Sequence, residues 1–136
     1  MSSESTKMSF ALPTLVQSEE LNYHLEHPNL RIVDTSWHLP KAKRNGLQEF
    51  EQEHLPGAVF LDLDEVSDPE SELPHTIPTE EYFSKKIGEL GIGNDSWVVV
   101  YDTTGLFSAA RVWWMFRAFG HERVSLLDGG LPKWKA

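Results

Sequence analysis

The chain has 136 residues, the size of one domain, and its 40% apolar content, with five Trp and seven Phe, is enough for one buried core. A net charge of −9 repels a phosphate backbone and argues against nucleic acid as a partner, and no apolar run nears the ~20 residues of a membrane span. The absence of cysteine rules out disulfides and thiolate metal sites, and it fits a cytoplasmic protein.

Met1 to Lys7 is polar and Ser-rich, with no apolar core of a secretory signal, so residues 1–12 read as a disordered lead-in to a domain over 13–136. Ser18 to His27 reads as a short helix. Ser18 is the expected cap, Glu19 and Glu20 suit the positive helix end, and Leu21 and Leu25 lie one turn apart. Leu30 to Asp34 (LRIVD) is an apolar run that predicts a buried strand. Trp37 to Gly46 has a loop composition. Leu47 to Glu53 predicts one or two helical turns, stopped by Pro56 and Gly57, and Ala58 to Leu63 predicts a second strand. Asp64 to Pro78 carries three prolines and five carboxylates, which predicts a long irregular loop of the kind that often holds function.

Thr79 predicts the cap of a helix with Phe83, Ile87 and Leu90 on one face and Gly91 just past its end. Trp97 to Tyr101 (WVVVY) is apolar on both parities, so it predicts a central strand covered on both faces. After a turn at Thr103 to Gly105, Ser108 to Phe119 predicts a deeply buried helix closed by Gly120. Val124 to Leu127 predicts a last strand, and a further helix is expected to start after Pro132. The ending at Ala136, just inside that helix, suggests a truncated chain or one half of a longer one. Alternating strands and helices predict an α/β fold with a mostly parallel sheet and helices on both faces.

Ligands of such sheets bind beyond the carboxyl ends of the strands, here Asp62 to His75, Asp102 to Arg111 and Asp128 to Gly130. The segment from Tyr101 to Arg111 leaves a buried strand, turns at a glycine and enters a helix. Its backbone N–H groups and helix dipole favour an anion or a thiolate. Asp102 at the strand end is itself an anion, and on local chemistry alone it serves as a cap of turn and helix. His75 lies in the long loop, eleven residues after Asp64, and a His with a carboxylate partner can move protons. The other five histidines show no ligand spacing. The acidic run Asp62 to Glu72 lacks the alternation and central Gly of a calcium loop, so no metal and no cofactor is called for. Trp113, Trp114, Phe116 and Phe119 read as core, while Arg111 and Arg117 can pair with strand-end acids or face a partner.

Phe50 to Ala58 (FEQEHLPGA) resembles the rhodanese signature: an aromatic, three variable residues, then His, an aliphatic, Pro, Gly and Ala. Arg111 to His121 (RVWWMFRAFGH) and Leu126 to Leu131 (LLDGGL), ahead of Trp134, are similar to the N-terminal domain of thiosulfate and 3-mercaptopyruvate sulfurtransferases. The resemblance spans about Leu15 to Ala136 and implies a rhodanese-like three-layer domain around a five-stranded, mostly parallel sheet. Such enzymes have two rhodanese-like domains, and the second carries a strand-end cysteine that takes up sulfur as a persulfide. Active loops of the family read Cys, two residues, Gly. Here the same spacing reads Asp102, Thr103, Thr104, Gly105, so the resemblance puts Asp102 in the place of the catalytic cysteine. It also implies that Asp64 and His75 belong to a relay completed by a Ser of the second domain, and that Phe107 faces the cleft between domains.

Two readings follow. In the first, the chain is half of a sulfurtransferase acting on a small sulfur compound, and its partner is the C-terminal catalytic domain. Alone, such a half is inactive and can dimerise through the apolar cleft that the second domain would cover. In the second, it is a stand-alone silent module that binds a partner through that face.

Overall fold

The computed structural model describes residues 12–38, 43, 45–63, 78–93, 95–103 and 107–135. Five strands, β1 (Leu15–Val16), β2 (Leu30–Asp34), β3 (Val59–Phe60), β4 (Trp97–Tyr101) and β5 (Val124–Leu127), form one sheet in the order β1-β5-β4-β2-β3. Every pairing is parallel. The helices are α1 (Ser18–Tyr23), α2 (Gly46–Gln52), α3 (Glu80–Glu89), α4 (Phe107–Ala118) and α5 (Gly130–Lys135). The expected α/β architecture is present. Among the described residues no helix is long and apolar enough to cross a membrane.

β4 is the middle strand, as its sequence predicts. All five of its residues register with β2, from Leu30 opposite Trp97 to Asp34 opposite Tyr101. Its side chains alternate between two cores. Val98 and Val100 join Phe83, Ile87, Val112, Met115 and Phe116 beneath α3 and α4. Val99 and Tyr101 join Val16, Leu21, Leu30, Ile32, Leu55 and Leu131 on the opposite face, with α1 and α5. The sheet therefore needs apolar residues on both parities of β4, which is why WVVVY shows no polar alternation.

α3 follows its sequence closely. Thr79 Oγ1 accepts the Tyr82 N–H at 3.2 Å, Phe83 and Ile87 are buried, and Gly91 takes the positive φ of 86° that ends the helix. Elsewhere the local signals are overruled. Ser18 is not the cap of α1. Gln17 holds that position without a side-chain bond, and Ser18 is the first helical residue, its hydroxyl buried and without a partner among the described residues. β1 carried no signal of its own, because its two residues are strand only through pairing with β5. The second predicted strand shrinks to Val59–Phe60. α4 starts one residue earlier than expected, and its outer face is open, with Trp114 44% exposed. α5 begins at Gly130, before Pro132. Leu12, at the end of the expected lead-in, is already buried in the second core.

The chain goes from β2 to β3 on one side, then crosses back to β4 on the other side of β2. The winding reverses between β2 and β4. A crevice at the carboxyl ends of those two strands is the expected ligand position in such a sheet.

Candidate functional site

Two polar runs meet at that reversal: Asp34-Thr35-Ser36 at the end of β2, and Asp102-Thr103 after β4. Asp34, Thr35, Ser36 and Asp102 are all buried. Backbone and side chains lock the runs together. Thr35 donates from its N–H and its hydroxyl to the Tyr101 carbonyl, at 2.8 and 3.1 Å. The Thr103 N–H donates to Ser36 Oγ at 3.0 Å. Only Asp102 and its loop had a sequence signal. The DTS run at the end of β2 was missed, although polar residues directly after an apolar strand were the available clue.

Asp102 is 1% exposed, and its carboxylate points at the start of α4. Oδ2 accepts the Ala109 N–H at 2.9 Å and the Ser108 hydroxyl at 3.3 Å. Ala109 is the third residue of α4, and its N–H is one of the four that a helix start leaves unpaired. The negative charge also meets the positive end of the helix dipole. From the other side, the Asp102 carbonyl accepts the Leu131 N–H at 3.0 Å. Gly130 makes that approach possible: a Cβ there would lie 2.2 Å from the same carbonyl oxygen, and its φ of +59° suits glycine. Asp102 is thus fixed by α4, by α5 and by its strand. It caps the helix, as local chemistry predicts, and does so at the position the resemblance gives to a cysteine.

Asp34 is held less well. Oδ1 accepts the Ser36 N–H at 2.8 Å, while Oδ2 is buried with no partner of full hydrogen-bond geometry among the described residues. Burial raises its pKa more than Ser36 and Tyr101 lower it, and the nearby Asp102 charge raises it further. Burial, and then the Asp34 charge, push the Tyr101 phenol far above its usual range, so it stays protonated. Its oxygen accepts the Leu55 N–H at 3.2 Å, which ties the HLPGA segment to the middle strand. At the end of β5, Asp128 accepts from Gln17 at 3.0 Å and Lys133 at 3.1 Å, and these bonds lower its pKa.

Asp64 and His75 lie outside the described residues. Phe107 opens α4, but its side chain also lies outside them. Arg111 stacks over Trp114 at 5.8 Å and Arg117 over Trp113 at 5.3 Å. His38 contacts Glu49 at 2.9 Å, and His54 bonds the Phe50 carbonyl at 2.6 Å. Among the described residues no group of three His, Asp or Glu could hold a metal ion.

Chemically, the end of β4 is a buried anion holder with its anion built in. The donors that serve Asp102 would equally serve a thiolate, but a carboxylate cannot take up sulfur as a persulfide.

The profile of the rhodanese-like domain matches residues 17–136. The chain is 53% identical over 122 residues to thiosulfate/3-mercaptopyruvate sulfurtransferase 1, mitochondrial, of Arabidopsis thaliana, covering 90% of this chain and 32% of that protein. It is also 53% identical over 107 residues to human 3-mercaptopyruvate sulfurtransferase, covering 77% of this chain and 36% of the relative. Among solved structures, the 3-mercaptopyruvate sulfotransferase of Escherichia coli superposes with a TM-score of 0.83 at 44% identity, over 90% of this chain and 47% of that one. The chain thus spans about a third of these curated relatives and about half of the bacterial structure. A five-stranded parallel sheet, a buried polar cluster at its winding reversal and a profile match from residue 17 onward agree on one assignment: the chain belongs to the rhodanese-like domain family.

Proposed function

We propose that this domain is the N-terminal, non-catalytic half of a two-domain sulfurtransferase. The whole protein would move sulfur from 3-mercaptopyruvate or thiosulfate to a thiophilic acceptor such as cyanide or a thiol. Its partner is a C-terminal rhodanese domain carrying the strand-end cysteine. The observation that carries this reading is the Asp102 carboxylate, buried and bonded to Ala109 and Ser108 where an active domain needs a thiolate. An anion already fills that position, so this half supplies scaffold and one wall of the cleft. The chain's one-third share of its sulfurtransferase relatives supports a missing second half.

In this reading Asp64 orients His75, and His75 moves a proton in a relay with a Ser of the second half. Phe107, at the start of α4, lines the cleft and contacts the substrate. The two relay residues favour mercaptopyruvate over thiosulfate as donor.

The isolated chain is expected to release no thiocyanate from thiosulfate and cyanide, and no pyruvate from mercaptopyruvate and a thiol. Activity that survives repurification would overturn the division of labour. In the full-length protein, His75→Ala should lower mercaptopyruvate turnover on the order of 10²-fold with folding intact. Unchanged turnover would remove His75 from the relay. A reading frame with no cysteine-bearing domain after residue 136 would instead favour a stand-alone silent module.

A further inference from the structure

We propose that the amino-terminal end of the sheet carries a second site, which binds a small organic cation with a flat apolar body. It is independent of sulfur transfer. A cavity of about 620 Å³ lies there, in the range of small-molecule sites, between α3, α4 and the loops that enter β4 and β5. It is at the opposite end of β4 from Asp102.

The floor is aromatic and aliphatic. The Phe83 ring sits 5.2 Å from Phe116 and 5.1 Å from Phe119, and Ile87 and Ile92 complete the surface. Phe83 and Phe116 are buried in the first core, whereas Phe119 is only partly buried. The floor is therefore rigid where it meets the sheet and open to a ligand at its edge. A flat apolar body is what such a floor receives.

The rim is acidic. Among the described residues, Glu80, Asp95 and Glu122 line the cavity against one cation, Arg123. His121 adds no second positive charge at neutral pH. Its Nε2 bonds the Ser96 carbonyl at 3.1 Å, its ring stands edge-on to Phe116 at 5.3 Å, and burial holds its pKa below the usual value. An ammonium group at the rim would meet the partly exposed Phe119 ring and the carboxylates together, and both attract it. An anion would meet net negative charge.

The test uses the chain as it is and three probes with the same body: 2-phenylethylamine, 2-phenylethanol and phenylacetate. Binding is read from the amide shifts of 91–96 and 119–123 in ¹H–¹⁵N spectra. The amine should saturate those shifts and bind about fivefold tighter than the alcohol, with phenylacetate weakest. In the Asp95→Asn, Glu122→Gln double variant, whose changes lie at exposed positions, the preference for the amine should fall to about twofold or less. Equal affinity for amine and alcohol, shifts outside these two loops, or a preference unchanged in the double variant would each overturn the proposal.

Discussion

Two carboxylates stand side by side at the carboxyl ends of neighbouring strands, and the protein treats them differently. Asp102 accepts two hydrogen bonds on Oδ2, from Ala109 and Ser108, at a helix start. Asp34 is buried as completely, with the Ser36 N–H on one oxygen and no partner of full hydrogen-bond geometry on the other among the described residues. Burial alone therefore does not decide whether a charge is tolerated. The number of donors aimed at it does, because an unsatisfied oxygen keeps the whole cost of leaving water. One position is a finished anion site and the other is a less fully satisfied neighbour of it.

The contrast can be tested by substitution. The largest effect is expected from Asp102→Ala, which strips Ala109 and Ser108 of their acceptor and should cost ~3 kcal/mol in urea unfolding. A loss below ~1 kcal/mol would mean that water replaces the carboxylate and that the position is not a dedicated anion holder. Gly130→Ala acts on the same residue from behind, by driving a methyl group into the Asp102 carbonyl at a left-handed backbone position. It should cost ~2 kcal/mol or more, read as a fall in melting temperature. Ser36→Ala removes the acceptor for the Thr103 N–H, with an expected loss of ~1 kcal/mol.

The smallest effect has the opposite sign. Asp34 has a folded-state pKa above its ordinary 3.8, so the folded protein holds that proton more tightly than the unfolded chain does. Its contribution favours the fold in acid and is lost as pH rises through the raised folded value. Asp34→Asn keeps an oxygen for the Ser36 N–H and removes the buried charge. It should raise the melting temperature at pH 7, with the gain shrinking to nothing below pH 3.8. A variant less stable than its parent at pH 7 would show that the charge is needed, and the contrast with Asp102 would collapse.

The sequence revealed the interior better than the edges. WVVVY, LRIVD and the Thr79-to-Gly91 helix are legible because their own residues carry the pattern that burial and capping require. β1 is not, since Leu15 and Val16 become strand only by pairing with Leu126 and Leu127. Ser18 misled because its hydroxyl is a good cap by type, while packing put it one position inside the helix. At the site, the spacing from Asp102 to Gly105 drew attention to the end of β4. Asp34 read only as the acid ending the LRIVD strand, Thr35 and Ser36 carried no signal, and only the neighbouring strand makes the three a buried polar shell.

The pairing of β1 with β5 also bears on how the chain reaches this structure. The Gln17–Asp128 bond beside it closes a span of 111 residues. Contacts of that separation are slow to form, because the entropy of closing the loop is lost before any contact repays it. During synthesis, β1 leaves the ribosome before the other described strands and waits for nearly the whole domain before its partner β5 exists. Folding of this domain is therefore expected to finish late, after β5 has emerged, with β2 and β4 free to associate earlier.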